Sequence, residues 1–339
     1  NGAMQVAQRG TSSTTSNTYS TVDRFQLRTS GVDEEPTQAQ ADVASGTTPF
    51  TLGFRKAFKI TNGNQTSGAG TSDYIWFEHR LESQDMANSG WNYTSSSSFI
   101  TFSFWIKSSV AQTFKGYLRV IDGTTYQYPF ETGSLSADTW TKVTKIVPGN
   151  SNISFDNDAN FGFQINIFPF YGTDVTDNSV TENAWAAFAS SARMKDNTST
   201  WYTTNDATLE ITGMQLEVGS VATEFEHKSF AVEERLCKRY FQRFTKATHG
   251  QTPFTGHLTS AVGIIGHVFS VVMRATPSIS QSNNFNVYTA STNNVKTDLN
   301  IEAAPQGFRT LIQSMTGTNG HACQIDFETN TILDFSSEL

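Results

Sequence analysis

Carboxylate pairs come first among the residues whose types could do chemistry. Glu78 with Glu82, followed by Asp85, and Glu210 with Glu217 have the groups needed for an acid and a nucleophile in glycoside hydrolysis. Sequence spacing does not set the separation of two carboxylates in space, and such acids are ordinarily solvated surface residues. No GxSxG elbow, HExxH helix, phosphate-binding loop or kinase signature accompanies them, so catalysis is not expected. Asp156-Asn157-Asp158 offers oxygen ligands but lacks the spaced oxygens and closing Glu of a calcium loop. A structural calcium ion is therefore unsupported, and no metal or cofactor is expected. Cys237 and Cys323 form no Cys/His cluster and read as small buried hydrophobes.

Aromatic side chains in polar segments offer a second chemistry. Phe, Trp and Tyr make up 12% of the 339 residues, enough to place several outside strand cores. Trp91 and Tyr93 flank Asn92 ahead of a Ser run, Trp201-Tyr202 lies among Thr residues, and Tyr126 and Tyr128 follow Thr124-Thr125. Aromatic faces stack on the C–H faces of sugar rings while Asn, Asp and Ser bond the hydroxyls. These six residues are the candidate carbohydrate contacts. Trp91, in the turn-rich stretch Ser89-Gly90-Trp91-Asn92, is exposed unless that turn folds back over a sheet. Trp76, Trp105 and Trp140 lie in strand-like segments and read as core residues.

The elements that must position these groups are mainly strands. Only 16% of residues are charged and 26 are Phe, a composition that suits half-buried pleated surfaces better than helices. Residues 1–228 read as short period-2 segments broken by Gly, Asn, Asp and Ser, the pattern of an antiparallel sandwich or barrel. In Phe99–Lys107 the residues Phe102, Phe104 and Ile106 face one way, and Thr101, Ser103, Trp105 and Lys107 the other. In Phe161–Phe168 the apolar set is Phe161, Phe163, Ile165 and Ile167, with Gln164 and Asn166 opposite. The apolar phase changes at Gly213, which predicts a β-bulge.

Residues 229–244 break this pattern. Phe230, Cys237, Tyr240, Phe241 and Phe244 recur at spacings of three and four, with Ser229 placed to cap, Glu233 and Glu234 near the start and Lys238, Arg239 and Arg243 near the end. This predicts one amphipathic helix over Ser229–Phe244. Residues 245–339 return to strands and read as a smaller β domain. A one-sided apolar stripe between two β domains must be covered, which predicts a homotrimer with Phe230, Leu236, Tyr240, Phe241 and Phe244 at the interface and Leu236 and Tyr240 at its centre.

Charge and hydropathy exclude other partners. The net charge is −8 and no run of four basic residues occurs, so nucleic acid is not expected as a ligand. Phe99–Ile106 and Val262–Met273 fall well short of the ~20 apolar residues that span a bilayer. The chain opens on Asn1-Gly2-Ala3-Met4, without an initiator Met or a secretion signal, which leads us to expect residues upstream of this sequence.

Seven segments, in this order, resemble bacteriophage virion fibre proteins that join a jelly roll like a carbohydrate-binding module to a helix and a distal β head. They are Asn1–Ser12 (NGAMQVAQRGTS), Tyr19–Gln26 (YSTVDRFQ), Phe102–Ser108 (FSFWIKS), Trp140–Gly149 (WTKVTKIVPG), Ile211–His227 (ITGMQLEVGSVATEFEH), Leu236–Gln242 (LCKRYFQ) and Met273–Ser278 (MRATPS). The resemblance implies a trimeric tail fibre or capsid fibre on an extracellular phage particle, assembled in the host cytoplasm and attached to other virion proteins through the upstream segment. It carries no catalytic motif, and the head matches only around MRATPS. Three functions follow: adsorption to a host surface polysaccharide, decoration of the capsid or tail without a glycan ligand, or cleavage of a polysaccharide.

Overall fold

A computed structural model describes residues 1–246, 254–282, 284–289, 293–328 and 330–339. The chain divides into two compact units, Asn1–Glu233 with Leu339, and Glu234–Glu338.

The first unit is an antiparallel β-sandwich. Its first sheet has six strands in the order Ser12–Ser13, Thr37–Asp42, Lys56–Thr61, Thr208–Val218, Phe99–Ser108 and Thr141–Pro148. The second has six in the order Ala186–Ala187, Tyr126–Ser134, Thr113–Val120, Phe161–Tyr171, Tyr74–Glu82 and Phe25–Ser30. Neighbouring strands come from distant parts of the chain, as in a jelly roll. Thr208–Val218, for example, lies between Lys56–Thr61 and Phe99–Ser108. Alternation then decides the layers. Phe102, Phe104, Ile106, Leu209 and Ile211 of the first sheet meet Leu27, Phe77, Leu118, Phe163, Ile165 and Ile167 of the second in one buried core. The bulge at Gly213 is present: the pairing shifts between Thr212 and Gln215, and Gly213 has φ +62°, where an added Cβ would sit 2.7 Å from the Phe54 ring.

The expectation of a helix over Ser229–Phe244 needs correction. The helix covers Phe230–Lys238 and closes where the Tyr240 amide donates to the Cys237 carbonyl at 2.9 Å. Phe241–Thr245 is a strand paired antiparallel with Ile332–Ser336. Aromatic and β-branched residues gain more from sheet pairing than from a further helical turn, and tertiary packing overrides a short helical period. Tyr240 and Phe241 are buried, and Phe244 packs against Phe254, Phe308 and Phe335 in the second unit. These three are therefore core residues and are not free to meet other copies. Phe230 and Leu236 remain exposed on the helix. Two single-turn helices, Thr48–Thr51 and Ser83–Ala87, carry no period-2 or period-3.6 signal.

In the second unit, Phe241–Thr245, Ile332–Ser336 and Ser278–Ser282 form a three-stranded sheet. A seven-stranded sheet runs in the order Asn293–Lys296, Phe285–Thr289, Ala322–Phe327, Phe254–Thr259, Val262–Val268, Gly307–Ile312 and Asn300–Ala304. Its core includes Phe254, Leu258, Ile265, Phe308, Ile325 and Phe335. Cys237 and Cys323 are buried and form no disulfide among the described residues. Among the described residues no helix is long and apolar enough to cross a membrane.

Candidate functional site

The loop aromatics are mostly packing residues. Trp201 and Tyr202 have no exposed surface, Trp91 and Tyr128 are buried, and Tyr93 and Tyr126 pack partly buried against the same core. Each has a local reason. After Gly90 the chain turns back, so that the Trp91 indole donates to the Ser98 carbonyl at 3.3 Å while Tyr93 meets Phe155 edge-on. The Trp201 indole donates to the Thr208 carbonyl at 3.0 Å, and the Tyr202 hydroxyl donates to Asp73 at 3.1 Å with its ring 4.4 Å from Phe170. In Tyr126–Ser134 alternation turns Tyr126 and Tyr128 inward and Gln127 outward. A ring without an exposed face cannot stack on a sugar, so the expectation that these residues line an open site is corrected for Trp91, Tyr128, Trp201 and Tyr202.

The polar chemistry converges on the outward face of the second sheet. Register sets Arg80 opposite Gln164, Gln164 opposite Arg119, and Arg119 opposite Gln127, making one polar row across four strands. The next row is Gln26, Glu78, Asn166, Tyr117 and Pro129. Beyond it Arg28 stands opposite Trp76, whose ring lies 5.6 Å from Phe168.

Glu78 anchors this face. Its carboxylate is wholly buried, accepts from Gln26 Nε2 at 2.5 Å, from Trp76 Nε1 at 3.2 Å and from Gln164 Nε2, and pairs with Arg80 at 2.6 Å and Arg28 at 3.8 Å. A carboxylate engaged on all sides serves to hold its neighbours rather than to transfer a proton to a substrate. Glu82 is buried as well, and Asp85 lies exposed in the short helix Ser83–Ala87.

Other atoms of the two rows have no hydrogen-bond partner among the described residues. They are Arg119 Nε, Gln127 Oε1, Gln164 Oε1 and both amide atoms of Asn166, a residue with no exposed surface. Buried polar groups are normally bonded, and at atoms without exposed surface such as these it is enclosed water that completes the set.

A long connection, residues 172–207, borders this face. The Phe188 amide donates to the Thr125 carbonyl at 2.9 Å, and Gln127 Nε2 donates to the Ala192 carbonyl at 2.9 Å. This brings the Phe188 ring to 3.9 Å from the Arg119 guanidinium and 5.4 Å from that of Arg193. Arg193 also donates to the Tyr171 hydroxyl. Burial lowers the Arg119 pKa and raises those of Tyr117 and Tyr171, while the Arg193 charge opposes the rise at both tyrosines. Both phenols therefore stay protonated near neutral pH. Arg119, Arg193, Phe188 and Phe161 are partly exposed and open the row to solvent, and the Phe161 ring lies 4.7 Å from the Arg80 guanidinium. Among the described residues no group of three or more His, Cys, Asp or Glu could hold a metal ion. The alternation of Gln164 and Asn166 is the sequence signal for this face. Arg80, Arg119 and Gln127 join it only through strand register.

A second cleft, of about 320 Å³, lies over the outer face of the first sheet and is lined by Phe54, Trp105, Lys142, Phe225 and His227 among others. A third, of about 370 Å³, reaches His79. His79 contacts the Arg24 carbonyl through Nδ1 at 2.8 Å, and its pKa is held down to about 3, first by burial and then by the Arg24 charge. Because the unfolded chain binds a proton that the folded one refuses, stability is full above about pH 6.5 and falls as pH drops toward 3, by up to about 1.4 kcal/mol per pH unit. Urea titrations across that window on the parent and His79→Gln are expected to show a flatter pH dependence in the variant.

No protein-family model matches the chain, and no curated protein matches it. Among solved structures it is similar to the enzymatically active domain of tailspike protein 4 of bacteriophage CBA120, with 10% identity and a TM-score of 0.33 over 61% of this chain and 21% of that one. It is also similar to the family 11 carbohydrate-binding module of Clostridium thermocellum in complex with a β-1,3-1,4-mixed-linked tetrasaccharide, with 12% identity and a TM-score of 0.28 over 59% of this chain and 91% of that one. A third similarity is to the tandem CBM22-1-CBM22-2 domain of Paenibacillus barcinonensis Xyn10C, with 9% identity and a TM-score of 0.27 over 92% of both chains. The chain thus spans about a fifth of the tailspike domain's length. At these identities and TM-scores the likenesses assign this chain no activity, and the antiparallel β-sandwich stands on its own strand order and register.

Proposed function

We propose that this chain is a bacteriophage virion fibre protein that binds a host surface glycan through the outward face of its second sheet. The observation that carries the reading is the row Arg80, Gln164, Arg119 and Gln127. Arg80 and Arg119 of that row are partly exposed, each beside a partly exposed ring, Phe161 at 4.7 Å and Phe188 at 3.9 Å. Forked donors of this kind suit vicinal hydroxyls, and flanking rings suit the C–H faces of a sugar. The segment-by-segment resemblance to virion fibres supplies the biological setting. A saturated, buried Glu78 favours binding over cleavage.

A glycan array probed with the intact chain, followed by titration of the best ligand against the parent and Phe188→Ala, tests the reading. Binding at micromolar or tighter Kd, weakened at least tenfold in a variant whose melting curve stays cooperative, is expected. Undiminished binding by that variant overturns the site, and silence across host-derived polysaccharides overturns the function.

Trimeric assembly is part of the same proposal. Phe230, Val232 and Leu236 are 55%, 47% and 51% exposed on one nine-residue helix, an apolar surface that two further copies of the chain would cover. Light scattering is expected to give three times the 37.3 kDa chain mass, with Leu236→Asp lowering it to one. A monomeric parent at micromolar concentration contradicts the trimer.

A further inference from the structure

We propose that the glycan bound on this face is anionic and carries carboxylates, as a uronic acid polymer does; the inference rests on the glycan-binding reading above. Arg28, Arg80, Arg119 and Arg193 belong to or border the outward face, and Glu78 is the carboxylate set among them. Glu78 is already shared by Arg28 and Arg80. Lys115, on the same face, is matched by two carboxylates of its own, Glu131 at 2.7 Å and Glu182 at 2.8 Å. Asp196 and Asp177 on the bordering connection bond neutral groups, Thr176 with Asn178 and the Ser179 amide, and neither carboxylate lies within 4.0 Å of Arg119 or Arg193.

Arg119 and Arg193 are left over. Among the described residues no carboxylate lies within 4.0 Å of either, although both guanidiniums lie against the one ring of Phe188. Two like charges gathered in a partly buried site repel, and repulsion is stronger there than in bulk water. The surplus is local: the whole chain has a net charge of −8. Folding has thus collected two partly exposed arginines that no carboxylate contacts, Glu78 acting on Arg119 only from beyond 4.0 Å. A sugar hydroxyl can accept from a guanidinium but cannot neutralise its charge, whereas a carboxylate does both, because its two oxygens match the guanidinium fork.

The test is calorimetric titration of the intact chain with galacturonate and glucuronate oligosaccharides and with their carboxyl-reduced counterparts. The acidic forms are expected to bind at least tenfold more tightly, with an affinity that falls as salt rises from 50 to 500 mM. Arg119→Gln and Arg193→Gln are expected to remove most of that difference, and Arg119→Lys to keep part of it. Should either glutamine variant fail to fold, the acid-to-neutral ratio and the salt dependence of the parent decide the matter. Equal affinity for acidic and reduced forms, without salt dependence, overturns the inference and leaves the glycan-binding reading standing. Absence of binding to every oligosaccharide, together with a silent array, rejects both.

Discussion

Trp201→Ala is expected to destabilise the sandwich by about 3–5 kcal/mol and to lower its Tm by roughly 6–20 °C. The indole has no exposed surface, so its removal leaves a void between the sheets that rigid neighbours fill only in part. The truncation also removes the bond from Trp201 Nε1 to the Thr208 carbonyl at 3.0 Å and leaves that carbonyl only the Ser109 amide, at 3.0 Å. Trp201 N is itself tied to Gln112 Oε1 at 3.0 Å, and Asn62 Nδ2 reaches the carbonyls of Trp201 and Tyr202 at 3.3 and 2.6 Å. These bonds hold the backbone and do not relax to close the gap. Urea and thermal unfolding of the parent and the variant provide the measurement. A loss below about 1 kcal/mol accompanied by abolished glycan binding contradicts the assignment of this Trp to the core.

Removing the Glu78 carboxylate is expected to be nearly as costly. Glu78→Ala leaves Arg80 and Arg28 without their shared counter-charge and strips acceptors from Gln26, Gln164 and Trp76, all on a buried face. Breaking a buried charge pair from one side costs about 3–5 kcal/mol, because the partner charge stays behind uncompensated. Glu78→Gln keeps the shape and one acceptor oxygen and is expected to cost less, by about 1–2 kcal/mol. Chemical denaturation of both variants checks the order. If Glu78→Ala proves as stable as the parent, Glu78 does not hold the polar rows together.

Much of the sandwich is legible in the sequence because its signals are local. The alternation of Phe102, Phe104 and Ile106 against Ser103 and Trp105 sets which face turns inward, and the phase change at Gly213 coincides with a real bulge. The loop aromatics are a different case. Whether Trp91 or Trp201 is exposed depends on where the chain returns after Gly90 and on Asn62, more than a hundred residues before Tyr202, and composition of the flanking residues does not encode either. The period-3 and period-4 recurrence of Tyr240, Phe241 and Phe244 misleads because the same residues suit a strand when Ile332–Ser336 is there to pair with it. For the candidate site, Gln164 and Asn166 show as polar positions of one strand, but their alignment with Arg80 and Arg119 is created by pairing across long sequence separations. Such register is a property of the assembled sheet.

A crystal structure of this chain with the strongest glycan ligand from the array tests glycan binding on the outward face. The saccharide is expected along the row Arg80, Gln164, Arg119 and Gln127, with its hydroxyls on the partly exposed Arg80 and Arg119 and a ring against Phe161 or Phe188. A saccharide seated instead in the cleft of Trp105 and Lys142, with the polar row untouched, contradicts it.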